Sequence, residues 1–102
     1  MPERLWLVST RPLVTWGQIE PRIGEHRAYQ DGLLAEGKLL ASGPFLVGGA
    51  ARGDGLSILR ANDEAEALSL AGADPLVRGG LRAVEVHLWQ VNQRAPSVNL
   101  GA

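Results

Sequence analysis

Four apolar runs and two stretches with helical spacing alternate along this chain of 102 residues, and their order limits the possible folds. The first run, residues 5–8, is followed by polar residues and a proline, and it predicts a buried strand. From Pro21 to Glu36 apolar residues recur every three or four positions, which predicts a helix that ends before Gly37. The chain is therefore expected to begin with a strand followed by a helix.

The rest of the chain predicts strand, strand, helix and strand, in that order. The predicted ranges are residues 39–45 and 56–59 for the second and third strands, 63–72 for the second helix, capped by Asn62 or Asp63, and 81–91 for the last strand. In the last strand, Val84 and Val86 alternate with Glu85 and His87, so its two faces are expected to differ in chemistry.

The order β-α-β-β-α-β predicts an α+β, ferredoxin-like fold, with one four-stranded antiparallel sheet and two helices on one face. The other face of such a sheet is left uncovered. We expect a second copy of the chain to cover that face, which makes the protein a homodimer or a higher homo-oligomer. The length suits one domain, expected over residues 1–92, with residues 93–102 as a C-terminal tail.

Composition excludes several classes of function. The net charge is -1 and the basic residues are scattered, so we expect neither a nucleic-acid nor a membrane partner. The chain has no cysteine, which excludes thiolate nucleophiles, disulfides and iron–sulfur clusters. The apolar run before Ser9 is too short for a secretion signal or a membrane span. These features predict a cytoplasmic globular protein.

His26 is the most informative residue, because it shares a helical stripe with Ile23 and Leu33 and should point toward the sheet. Imidazole has an unperturbed pKa of roughly 6.5, so His26 is a candidate general base, with a hydrogen-bonded core histidine as the equal alternative. Such a base needs a partner for its second nitrogen. Asp74 is the candidate partner, although an aspartate before a proline, here Pro75, often bonds only its own backbone.

Two other features, a glycine-rich stretch and a second histidine, resemble ligand sites but lack the full set of residues that such sites need. The glycine-rich stretch 48–55 lacks the lysine and the spacing of phosphate-binding loops, and a predicted strand follows it. We interpret this stretch as a mobile hairpin that could close over a ligand, where Arg52 would meet an oxyanion, with a solvated arginine as the default alternative. His87 shares a strand face with Glu85 and Trp89, but a third metal ligand is missing, so we predict a packing role and no metal site.

Residues 25–44 and 73–75 resemble proteins of the YCII-related family. The shared features are a helix histidine, a helix ending in Glu-Gly, a strand ending in Gly-Pro, and an Ala-Asp-Pro motif, and the resemblance extends over about residues 4–91. It implies a dimeric α+β barrel, akin to that of muconolactone isomerase, and a catalytic His–Asp dyad. A family activity that it implies is dehydrochlorination of a chlorinated hydroxyhydroquinone. The resemblance places the dyad on His26 and Asp74.

The residues and the resemblance together predict a cofactor-free enzyme that acts on a small aromatic or quinone-like ring. His26 would remove a proton while Asp74 fixes the imidazole tautomer, leading to elimination (a lyase of the dehydrochlorinase type) or to isomerisation. The alternative is a non-catalytic dimeric module that binds a small metabolite or a partner protein. A cavity beside His26 would distinguish either function from a purely structural dimer.

Five further residues are the expected walls of the substrate site. Trp16, just before the first helix, and Tyr29 would supply aromatic surface. Ser42, beside Gly43 and Pro44, would donate a hydrogen bond to a ring oxygen.

Overall fold

The structure, a computed structural model, describes residues 4–100. Its strands are β1 (Arg4–Pro12), β2 (Leu39–Val47), β3 (Ala50–Ala61) and β4 (Arg82–Trp89), and its helices are α1 (Trp16–Ile19), α2 (Ile23–Ala35), α3 (Glu64–Gly72) and α4 (Pro75–Arg78), with a 3-10 turn at Glu20–Arg22. The sheet order is β2-β3-β1-β4 and every neighbouring pair is antiparallel. This order confirms the predicted ferredoxin-like α+β fold. No helix within the described range is long and apolar enough to cross a membrane.

Both long helices pack on one face of the sheet. The register aligns Trp6 with Leu59 on one side and Val8 with Val86 on the other, so these side chains share a face. The buried core on that face consists of Trp6, Val8, Leu33, Leu39, Leu59, Ala61, Ala67 and Ala71. Leu33 comes from α2 and Ala67 from α3, which places both helices against this face. Burying each large apolar side chain contributes about 1.5–3 kcal/mol to folding.

The opposite face of the sheet is also apolar in part. Leu7 lies there between Ile58 of β3 and His87 of β4. At the tip of the β2–β3 hairpin, Leu46 and Val47 are also exposed, at 62% and 52%. We use the name open face for the sheet surface that carries Leu7, Ile58 and His87.

The glycine-rich stretch is part of a long β-hairpin. We expected the third strand to begin at Leu56, but β3 begins at Ala50, directly after a two-residue turn. Gly48 and Gly49 form that turn with φ angles of +59° and +81°. Two successive positive φ angles make a turn whose twist matches that of paired strands, and only glycine adopts them without strain. The turn therefore lets the strands pair as far as Val47.

The second strand is also longer than its predicted range of residues 39–45 and passes through Gly43-Pro44, because β2 continues to Val47. Proline is tolerated here because β2 is an edge strand and the register shifts just after Pro44, next to its partner Gly55. A Cβ atom on Gly55 would lie 2.8 Å from the carbonyl oxygen of Gly43, so the two strands approach closely at this point.

Helical structure begins at Trp16, five residues before the predicted start at Pro21. The side chain of Gln18 accepts a hydrogen bond from the Thr15 backbone N–H at 3.3 Å, which supports the first turn. The unpredicted helix α4 begins at Pro75. The described part of the tail contains a turn at residues 96–97 and no other regular element, and residues 1–3 and 101–102 of the predicted domain and tail lie outside the described range.

Candidate active site

His26 and Asp74 form a direct pair. The Nδ1–H of His26 donates to Oδ2 of Asp74 at 2.5 Å, and the two side chains are only 12% and 13% exposed. With the Nδ1 proton committed to the carboxylate, the lone pair of a neutral imidazole lies on Nε2. Nε2 has no protein partner within residues 4–100, so it is the nitrogen that can accept a proton from a ligand.

Asp74 is held from two directions. Its Oδ1 accepts the backbone N–H of Leu76 at 2.9 Å, so the residue caps α4. Pro75 occupies the first position of α4, where a missing N–H does no harm. Leu76 is fully buried and anchors the short helix. The backbone contact expected of an aspartate before proline therefore coexists with the His26 bond, and the cap leaves Oδ2 free for the imidazole.

The pair lies in the wall of a cavity of about 460 Å³ between α2 and the sheet. This volume falls within the range of roughly 300–1,000 Å³ that is typical of small-molecule sites. The sequence-predicted site residues that line the cavity are Trp16, His26, Tyr29, Ser42, Gly43, Pro44 and Asp74. Arg52 is exposed on the hairpin and is not among the lining residues. Its chain neighbours Ala51 and Gly53 do line the cavity, so it is the alternation of side chains along β3 that keeps Arg52 out of it.

A polar row crosses the β2–β3 wall of the cavity. The amide of Gln30 donates to Ser42 Oγ at 2.8 Å, and the hydroxyls of Ser42 and Ser57 lie 3.0 Å apart. Whichever serine donates in that bond, the two hydroxyl protons satisfy only one acceptor between them. One hydroxyl proton therefore remains available for an oxygen atom in the cavity.

Tyr29 forms an aromatic wall whose hydroxyl is already engaged. The hydroxyl donates to the backbone carbonyl of Leu70 at 2.7 Å. Burial raises the pKa of the Tyr29 hydroxyl above its ordinary value of 10.0, and the negative charge of Asp74 raises it further. Tyr29 therefore stays protonated at neutral pH and ties α2 to α3.

Sequence reasoning missed six polar residues of the cavity: Thr10, Arg27, Gln30, Asp54, Ser57 and Arg82. For Thr10 and Ser57, the feature that could have placed them in the cavity is the alternation of side chains along a strand. Thr10 pairs with Val84 and Ser57 pairs with Val8, both on the helix-covered face. That feature becomes readable only when the register between strands is known. The rival residue His87 lies on the open face, exposed, with Nε2 at 3.7 Å from a carboxylate oxygen of Glu85.

Comparison with known proteins identifies the family of the chain. The model of the YCII-related domain matches residues 7–90. The chain belongs to the YCII-related family. A search among curated proteins gave no match. Among solved structures, the chain is similar to 5-chloro-2-hydroxyhydroquinone dehydrochlorinase from Burkholderia phenoliruptrix in complex with 2,5-dihydroxybenzoquinone, at 27% identity and a TM-score of 0.65, covering 84% of this chain and 93% of that chain. The relation to muconolactone isomerase stays a prediction.

Proposed function

We propose that this YCII-related chain is an enzyme that removes a proton from a small hydroxylated ring, with His26 as the general base and Asp74 as its positioning partner. The observation that carries the proposal is the bond from His26 Nδ1 to Asp74 Oδ2 at the wall of the 460 Å³ cavity. This bond fixes the tautomer in which Nε2 accepts a proton, and it stabilises the imidazolium that forms.

The reaction class that we propose is elimination of hydrogen chloride from a chlorinated hydroxyquinol. In the keto tautomer of such a ring, the carbon that bears chlorine is tetrahedral. His26 takes the proton of a ring hydroxyl, the electron pair of the O–H bond forms a carbonyl, and a new ring double bond forms as the carbon–chlorine bond breaks. Chloride leaves with its bonding pair. The net change is loss of HCl and formation of a quinone, so the step needs neither an oxidant nor a reductant.

Two findings support this class of substrate. The solved dehydrochlorinase that the chain resembles was captured with 2,5-dihydroxybenzoquinone, a ring of the size that the cavity accommodates. The spare hydroxyl proton of the Ser42–Ser57 pair suits a ring oxygen as its acceptor. Transfer of a proton between two carbon atoms by the same base gives isomerisation instead, and the products of the reaction distinguish the two.

A second copy of the chain is proposed to cover the open face. Apolar side chains of Leu7 and Ile58 lie together there, on the side of the sheet opposite the core. Monomeric soluble proteins rarely leave a continuous apolar sheet face in water. An isologous dimer through this face leaves the cavity between α2 and the sheet accessible in both subunits.

The test of the proposed function is turnover of 5-chloro-2-hydroxyhydroquinone without oxygen, followed by chloride release and by quinone absorbance. We expect equal amounts of chloride and quinone from the wild type and no turnover from His26→Ala. The matched control is His87→Ala, which removes an imidazole from the open face and should retain activity within about tenfold, since the cavity lies on the opposite, helix-covered face of the sheet.

Binding of the ring without turnover would instead support the non-catalytic metabolite-binding module. Full activity of folded His26→Ala would exclude His26 as the base.

A further inference from the structure

Arg82 is an incompletely satisfied cation at the cavity. It is the first residue of β4 and pairs with Pro12, on the face of the sheet that carries Val84 and the helices. Its side chain lines the cavity. The Nε atom is buried and has no hydrogen-bond partner within the described residues. A buried N–H group without an acceptor is rare in native proteins and points to a partner that binds there.

The neighbouring carboxylate of Asp74 does not supply the acceptor that Arg82 Nε lacks. Asp74 is close enough to oppose the lowering of the Arg82 pKa that burial causes. Its Oδ2 accepts from His26 and its Oδ1 accepts from the backbone of Leu76, and neither oxygen is a hydrogen-bond partner of the Arg82 Nε. Because a guanidinium keeps its proton even when buried, the charge of Arg82 is present and directed at the cavity.

The other charges at the cavity lie in solvent. Arg27 and Asp54 also line it, but both residues are exposed, and water and salt screen their interaction with a ligand. Arg82 is half-buried, so its field in the cavity is screened less. Guanidinium groups bind oxyanions through two parallel N–H bonds, and such charge-assisted bonds are about twice as strong as neutral ones.

We propose that Arg82 binds an ionised oxygen of the ring ligand, so that the cavity selects acidic rings over neutral rings of the same shape. The inference rests on the proposed function for the identity of the ring but not for the preference for an anion. It names the ligand class more narrowly: rings with an ionised hydroxyl, such as the hydroxyquinone product of the proposed elimination, whose hydroxyl is a vinylogous carboxylic acid.

The same contact serves the proposed reaction. When His26 takes a proton from a ring hydroxyl, a negative charge remains on the ring oxygens. A cation fixed in a partly buried site stabilises that charge without the reorganisation that water requires. Arg82 is then the electrostatic partner of the ring, while Asp74 is the electrostatic partner of the imidazolium.

The experiment measures dissociation constants by calorimetry for two matched pairs of probes. The first pair is 2,5-dihydroxybenzoquinone, an anion at neutral pH, and neutral 2,5-dimethoxybenzoquinone. The second pair is benzoate and neutral benzamide. The proteins are the wild type, Arg82→Gln, Arg82→Lys and the control Arg4→Gln, which removes the same charge from the opposite end of β1, about 26 Å along the strand from the partner of Arg82.

We expect the wild type to prefer the anion of each pair. Arg82→Gln should weaken anion binding roughly 10- to 100-fold and change neutral binding less than about threefold, whereas Arg82→Lys should lie between and Arg4→Gln should match the wild type. Equal losses for the anionic and neutral probes, or no preference in the wild type, would overturn the assignment.

The outcomes separate this inference from the proposed function. Arg82-dependent binding of benzoate without binding of either quinone would retain the anion site and reject the hydroxyquinone as its ligand. Quinone binding that is unchanged in Arg82→Gln would retain the hydroxyquinone as a ligand and reject Arg82 as the anion site. Melting curves identify a variant that does not fold. If Arg82→Gln is such a variant, the ratio of anion to neutral affinity in Arg82→Lys decides, because lysine keeps the charge but loses the paired N–H geometry.

Discussion

Replacing Asp74 with asparagine should separate the catalytic role of the residue from its structural role. An asparagine side chain can keep its oxygen on the Leu76 N–H and turn its NH₂ group toward His26. The amide then donates to Nδ1, which forces the imidazole proton onto Nε2 and removes the base from the cavity. The same exchange in serine proteases lowers kcat about 10⁴-fold by stabilising the wrong tautomer, so we expect a loss of roughly 10²–10⁴-fold here.

The stability of the variants follows from the two bonds of Asp74. Asp74→Ala loses the cap of α4, about 1 kcal/mol, and a charge-assisted bond to His26, about 1.5–3 kcal/mol. The sum corresponds to a fall in Tm of roughly 10–30 °C for a domain of this size. Asp74→Asn keeps the cap and one neutral bond, so its unfolding free energy should fall by only about 1 kcal/mol.

The assays are calorimetric unfolding and anaerobic turnover, measured on the same protein samples. Asp74→Asn should unfold close to the wild type and be nearly inactive, while Asp74→Ala should be deficient in both measurements. Wild-type turnover by a folded Asp74→Asn variant would refute the role assigned to the carboxylate. A Tm of Asp74→Asn as low as that of Asp74→Ala would refute the retained cap.

Three further predictions concern the frame of the site. Tyr29→Phe should lower the unfolding free energy by about 1 kcal/mol at pH 8, because the hydrogen bond to Leu70 is lost. Because burial raises the pKa of Tyr29 above 10.0, the wild type should lose stability as the pH rises through and above 10. Melting curves at pH 8–11 should therefore show the stability difference between the two proteins shrinking. Gly55→Ala, whose Cβ meets the Gly43 carbonyl, should lower Tm by roughly 5–20 °C, whereas the unobstructed Gly24→Ala should not destabilise. Leu7→Lys should convert a dimer to monomers in sedimentation velocity, and a wild-type monomer would contradict the dimer.

The sequence predicted the order of the elements because each apolar run carries its own period. His26 could be placed toward the sheet because its spacing from Leu33 follows helical geometry, and the structure has it at the cavity. The predicted strand ends were wrong where a residue that usually ends a strand is overridden by pairing with a distant strand. Pro44 normally ends a strand, but the edge position of β2 and the shift of register let the strand pass through it.

The cavity could be predicted only in part, since its far wall depends on strand register. Arg82 comes two residues after Gly79-Gly80 and resembles an ordinary polar residue at the start of a strand. Only its pairing with Pro12 turns it toward the helices and the cavity. Arg52 shows the converse, because its position in a glycine-rich stretch suggested a loop beside the ligand. The structure instead makes Arg52 part of β3, with an exposed side chain that does not line the cavity.

The most direct test of His26 as the general base is a crystal structure of the wild type with 2,5-dihydroxybenzoquinone. The quantity to measure is the distance from His26 Nε2 to the nearest ring oxygen. We expect a ring in the cavity with this distance at roughly 2.6–3.2 Å, while Nδ1 keeps its bond to Asp74. A ring bound outside the cavity, or one in the cavity with every oxygen beyond hydrogen-bond reach of Nε2 and no bridging water, would contradict this expectation.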